Sequence, residues 1–163
     1  MNIERAIEVA RLIYLLDGVR GRKKLQKIVH LLGSRGAKPF SHEFTLHFFG
    51  PFSRELADEL DFLSEAQIVD ETSTDSAFTY NTANPRLESF LRRRSPNWGG
   101  FARRLAAERT PFLEALSTYV FLVYSGVPAR QVSAAFTKIK PHLKAHLPRC
   151  RVFAKEERLL RDA

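Results

Sequence analysis

The residues of this chain best placed to do chemistry are its cations. Between Gly18 and His42 stand seven of them, Arg20, Arg22, Lys23, Lys24, Lys27, Arg35 and Lys38, with no acidic residue in between. Lys23 and Lys27 lie one helical turn apart, and Arg20, Arg22 and Lys24 crowd the start of the same helix, where free backbone N–H groups already favour an anion. A second set, Arg92, Arg93 and Arg94 followed by Arg103 and Arg104, brackets a Pro-Asn-Trp-Gly-Gly loop. A third, from Lys138 to Arg161, is diluted by Glu156 and Glu157. Grouped cations of this kind meet the phosphates of DNA or RNA, and such contacts set affinity rather than sequence choice. The overall balance agrees, since 26 Lys and Arg against 18 Asp and Glu leave a net charge of +8.

Other reactive side chains make weaker patterns. His30, His42 and His47 match no common metal spacing, and Glu43 is only an adjacent carboxylate, so they read as ordinary surface or packed histidines. Cys150 stands between Arg149 and Arg151, whose charge would lower its pKa, yet nothing supplies a base at a recognisable spacing. Ser53 is not inside a Gly-x-Ser-x-Gly turn and reads as a helix cap. Trp98 reads as a loop anchor, with stacking on a base as the alternative. The expected protein is therefore not an enzyme, has no cofactor and holds no metal.

The elements that must position these groups follow from periodicity. Ile3 to about Leu16 predicts a first helix, stopped by Asp17-Gly18. Leu25, Ile28, Val29 and Leu32 put an apolar stripe on a second helix that starts near Arg22, with Lys23, Lys27 and His30 lining another side. Phe44, Leu46 and Phe48 alternate with Glu43, Thr45 and His47 as in a half-buried strand, which Gly50-Pro51 is expected to break. Ser53 then caps a helix striped by Leu56, Leu60 and Leu63, whose exposed positions are expected to include Glu55, Asp58, Glu59, Asp61 and Glu65. Ile68 to Asp70 and Phe78 to Tyr80 read as two short strands joined by a polar loop, the grammar of a wing. Asn84-Pro85 opens a helix to about Arg93, and Ser95 to Gly100 is the best boundary in the chain. Beyond it the chain is helical: one helix opens at Thr110-Pro111, carries Phe112, Leu116, Tyr119, Val120 and Val123 and belongs to the core or to a homodimer seam. Another carries Val132, Ala135, Phe136 and Ile139, and a last one follows Cys150.

The fold class expected is mainly α with a small β-hairpin wing: a winged-helix-like unit over 1–94 and a helical part over 101–163 packed on it. The absence of an apolar run long enough to span a bilayer, and a single cysteine, fit a cytoplasmic protein with no membrane partner.

The Gly21 to Leu32 block, the run Phe49-Gly50-Pro51-Phe52-Ser53-Arg54-Glu55-Leu56, the hairpin, Leu116-Ser-Thr-Tyr and Ile139-Lys-Pro-His-Leu together resemble the bacterial YwgA-like family of small uncharacterised proteins. A looser similarity, limited to the Lys-Leu-Gln-Lys helix and the Gly-Pro turn, links the chain to the Panacea domain of SocA-like antitoxins. The resemblance implies a winged-helix-like fold and no established activity. Two roles follow as expectations. In the first, the chain is a nucleic-acid-binding regulator that meets phosphates through Arg20, Arg22, Lys23, Lys24, Lys27, Arg92, Arg93, Arg94, Arg103 and Arg104. In the second it is a protein-binding adaptor or an antitoxin-like subunit of a regulatory or defence complex, whose acidic helix 54–65 faces a basic partner.

Overall fold

A computed structural model describes residues 1–74, 77–80, 84–93 and 95–160. Arg94, Arg161, and Asp75 and Ser76 of the polar loop expected between the two short strands, lie outside them. The chain begins with α1 (Ile3–Leu15), capped by Asn2, whose side chain accepts from Arg5 N. It leaves α1 through Asp17 and Gly18, both at positive φ, into β1 (Val19–Arg20) and then α2 (Arg22–Ser34). A hairpin of β2 (Thr45–His47) and β3 (Gly50–Phe52) leads into α3 (Arg54–Glu65), where Ser53 accepts from Leu56 N as expected of a cap. A second hairpin, β4 (Val69–Thr72) and β5 (Ala77–Tyr80), follows, then α4 (Pro85–Arg92), α5 (Gly99–Ala107), α6 (Thr110–Tyr124), α7 (Val132–Ile139) and α8 (Leu147–Glu156).

The expected mainly helical architecture with a small hairpin is present. β4 and β5 pair antiparallel, and β1, which the sequence pattern does not announce, adds to β5 to give the order β1-β5-β4. Two residues are too few for periodicity to register. No described helix is long and apolar enough to cross a membrane.

Four expectations need correction. Gly50-Pro51 does not end the strand region but starts β3, with His47 facing Gly50, Leu46 facing Pro51 and Phe48-Phe49 forming the two-residue turn. Gly50 has φ +87°, a conformation that costs a side-chain-bearing residue about 1–2 kcal/mol. The last helix begins at Leu147, so Cys150 lies inside it, fully buried. Burial pushes its thiol up to about 12, against the lowering expected from neighbouring arginines, because desolvation of a thiolate outweighs Arg149. Glu59, expected on an exposed face of α3, is 1% exposed and bonded to Arg5 and His42.

The core runs through α6, which packs on α2, α7, α8 and β3. Its Phe112, Leu113, Leu116 and Val120 belong to one buried cluster with Leu25, Ile28 and Leu32 of α2 and Ile13 of α1, so apolar residues on both sides of the 95–98 loop share a single interior. Trp98 anchors that loop, edge-on to Phe40 at 5.0 Å between ring centroids. Because α2 is covered by α6 on one side and by β3 on another, more than its apolar stripe is buried: Gln26, Lys27 and His30 are inside as well.

Candidate docking site at the hairpin between β2 and β3

The described cations expected to form one phosphate-binding patch stand on β1, α2, α4 and α5 or just after α4, with Arg92 and Arg103 lining one cleft, and most are engaged. Arg22 grips both carboxylate oxygens of Glu71 at 3.0 and 2.7 Å and Asp61 at 2.7 Å, which holds the guanidinium even more firmly protonated than usual. Lys24 donates to Ala106 O at 2.6 Å, and its burial lowers its pKa. Lys27 is 2% exposed and donates to Pro51 O at 2.7 Å, so it cannot reach an external phosphate; the expectation for this residue fails because β3 covers that side of α2. Arg92 pairs with Glu88 at 2.8 Å, and Arg104 holds Glu157 through two bonds at 2.7 and 2.8 Å. Arg20, on β1, and Arg93 and Arg103 are exposed. Four of the five acids of α3 are similarly matched, Glu55 and Glu59 with Arg5, Asp61 with Arg22 and Asp58 with Arg54, while Glu65 is exposed. That helix therefore offers a partner little uncompensated charge.

What the fold does project is the tip of the first hairpin. Phe48 is 84% exposed and Phe49 52% exposed, the two rings edge-on to each other at 4.9 Å. Scattered exposed apolar residues need no account, but two adjacent phenylalanines on a rigid turn do. The turn is rigid because the core holds it by polar bonds at the turn itself, on β3 and just after β3. Lys140 donates to Phe48 O, Lys27 donates to Pro51 O, and the Gln26 amide closes a reciprocal pair with Ser53 N and O, both at 2.9 Å.

Beneath the tip, Glu114 of α6 neutralises part of the resulting charge, with Lys140 Nζ at 2.9 Å and Lys23 Nζ at 3.8 Å. Lys23 also sits 3.7 Å over the Phe49 ring, which places a half-exposed cation at the edge of the aromatic tip. A Cβ on Gly50 would meet Thr118 Oγ1 at 2.9 Å, so the hairpin seats directly on α6.

The sequence reading missed this site. Its signal was present: Phe48 keeps the two-residue alternation but Phe49 breaks it immediately before a glycine. Reading Gly50-Pro51 as a stop instead of the return strand of a hairpin hid it. Among the described residues no group of three or more His, Cys, Asp and Glu is arranged to hold a metal ion.

No protein-family model matches the chain, and no solved structure matches it. Among curated proteins it is similar to the uncharacterized protein YwgA of Bacillus subtilis (strain 168), with 28% identity over 107 residues, which is 62% of this chain. The match spans 64% of the length of that relative, and it supports the resemblance to the YwgA-like family read from the sequence.

Proposed function

We propose that this chain is a non-enzymatic binding module that docks a protein partner through the Phe48-Phe49 tip. The observation that carries the reading is the combination of two exposed aromatic rings with a turn fixed to the core at Phe48 O, Pro51 O and Ser53. Fixing the anchor before contact removes the entropy that a floppy loop would lose on association, and buried aromatic anchors dominate interface energetics. The partner this chemistry fits has an apolar groove bordered by carboxylates, because Lys23 sits at the rim of the tip.

The reading includes a winged-helix-like arrangement of α1, β1, α2, α3, β4 and β5, with the first hairpin inserted ahead of α3. Such a fold is a scaffold for many roles and does not choose among them. The loose similarity to the Panacea domain of SocA-like antitoxins accords with a protein-binding role. A nucleic-acid-binding regulator is the second reading, favoured by the net charge of +8 and by the exposed Arg20, Arg93 and Arg103; there the tip would stack on bases of a single strand.

Capture from lysate with and without nuclease, by the native chain and by Phe48→Ser plus Phe49→Ser, separates the two. A stoichiometric protein that survives nuclease and is lost from the double variant, at unchanged melting temperature, is expected. Bound material that vanishes with nuclease, and steeply with salt, favours the second reading. A nuclease-resistant partner held equally by the double variant removes the tip from the account.

A further inference from the structure

The Phe48-Phe49 tip is an apolar knob, and the same chain carries an apolar hole on another surface. An open groove of about 730 Å³ lies between α1, the 38–41 segment, α4 and the 95–98 loop. Ile7, Pro39, Phe90, Pro96 and Trp98 supply its apolar lining. Phe90 is 43% exposed, and Ile3, one turn before Ile7 on α1, is 57% exposed, so apolar surface continues past the groove along that helix. The volume is within the roughly 300–1,000 Å³ of pockets that enclose small molecules, which leaves room for the two phenyl rings of a tip. None of the lining residues belongs to β2, β3 or their turn, so one chain presents knob and hole at once.

Charge favours the same match. The charged side chains that line the groove are Glu4, Arg5, Glu8, Arg11 and Lys38. Arg11 is held by Glu8 and by the Leu91 carbonyl, and Arg5 by Glu55 and Glu59. With these partners included, four carboxylates stand against three cations, and His42, on Glu59, adds a charge only when protonated. Under the tip the balance is reversed, with the ammoniums of Lys23, Lys27 and Lys140 against the one carboxylate of Glu114. Lys23 is the half-exposed member of that cluster and sits over the Phe49 ring.

The net charge of +8 opposes the approach of a second copy at long range. Salt at about 0.15 M screens that repulsion beyond roughly 8 Å, whereas a ring seated in a groove is held at van der Waals distance. Local complementarity therefore decides whether two copies stay together once they meet.

We propose that the Phe48-Phe49 tip of one copy docks in this groove of a second copy, an inference that rests on the reading of the tip as a docking element and names its partner. Because knob and hole are different surfaces, the contact is heterologous: it closes when two copies exchange tips and otherwise runs on from copy to copy. Two phenylalanines bury about 300–500 Å², well under the roughly 1,200 Å² at which standard interfaces begin. A single contact is accordingly weak, with a dissociation constant of about 0.1–1 mM.

The test is sedimentation of the full chain from about 10 µM to about 1 mM in about 0.15 M salt. The average mass of the native chain should rise across that range. Phe48→Ser plus Phe49→Ser, and separately Phe90→Ser, should each weaken association about tenfold while melting as the native chain does. Mixing the two variants should restore association, because one keeps the groove and the other keeps the tip, and the mixed species should stop at one copy of each. If Phe90→Ser loses its fold, dilution of the ¹⁵N-labelled native chain serves instead: amide shifts should change together at residues 48–50 and at residues 4–8, 38–41, 90 and 95–98. A monomer at every concentration, association unchanged by Phe90→Ser, no recovery on mixing folded variants, or dilution shifts at only one of the two surfaces would overturn the proposal. Should the native chain stay monomeric yet capture another nuclease-resistant protein that the tip variant loses, the tip keeps its docking role and only the second copy is removed as its partner.

Discussion

Lys140 Nζ lies 2.9 Å from Glu114 Oε1, with the lysine only 2% exposed, and the same ammonium donates to the carbonyl of Phe48. One buried cation thus ties α6 to the chain after α7 and to the exposed hairpin. Removing it leaves Lys23, at 3.8 Å, as the one ion pair of Glu114 among the described residues. Lys140→Met should therefore cost about 3 kcal/mol, the usual penalty for breaking a buried pair by deleting one partner. Adding Glu114→Gln should recover part of that loss, giving a coupling energy of about 1–3 kcal/mol in a urea-unfolding cycle. Additive losses would mean that the two residues do not act as a pair.

Gly50 is held at φ +87° with α6 directly beneath it. Gly50→Val adds backbone strain and forces a methyl-bearing carbon against Thr118 Oγ1, itself a buried hydroxyl without a hydrogen-bond partner among the described residues. A loss of about 2–4 kcal/mol and a visibly lower melting temperature are expected. A variant that melts normally yet no longer captures its partner would show that Gly50 serves recognition instead of packing.

Lys27 gives a pH signature. Burial drops its pKa to about 8 from an ordinary 10.5, with Glu114 opposing the drop and Lys140 and Lys23 adding to it. Between those two values the unfolded chain binds the proton that the folded chain has released, so this residue makes stability rise with pH across about 8 to 10.5. Below about 8 the cost of the buried charge is present in full, up to ~3 kcal/mol. Lys27→Met loses the bond to Pro51 O but also that cost. Its stability relative to the native chain should be most favourable near neutral pH and decline as pH climbs through the window. Parallel pH profiles for the two chains would contradict the placement of the ammonium.

Much of the fold was legible in the sequence because the information was local. The Leu25, Ile28, Val29 and Leu32 stripe, the Ser53 cap and the Asn84-Pro85 start need only a turn or two of neighbours to read, and each lies where expected. What sequence could not supply was the second covered side of α2. Lys27 follows helical spacing like any surface lysine, and only the return of β3 over it, 24 residues later, removes it from solvent. Glu59 escaped for the same reason, since its partners Arg5 and His42 come from different elements. Charge counted along the chain likewise overstated the basic surface. Arg22 meets Glu71, and Arg104 meets Glu157, across separations of 49 and 53 residues.

His30 supplies the acid limb of the same logic. Its ring is buried, pairs through Nδ1 with Ser117 Oγ at 2.7 Å and has a pKa pushed down to about 3 by desolvation, with the Lys27 charge adding to it. A depressed pKa means that the unfolded chain takes up the proton first, near the ordinary 6.5, so His30 favours the folded state fully above that value. The contribution drains away as pH falls from about 6.5 toward 3. His30→Leu should flatten the stability profile in that window, while losing the Ser117 bond should cost about 1–2 kcal/mol at neutral pH. Imidazole ¹⁵N spectra of the native chain should show one ring, assigned by its absence from His30→Leu, that does not protonate between pH 4 and 8. A ring at this position titrating near 6.5 would place it in contact with solvent and undo the account of α2 as a helix covered on two sides.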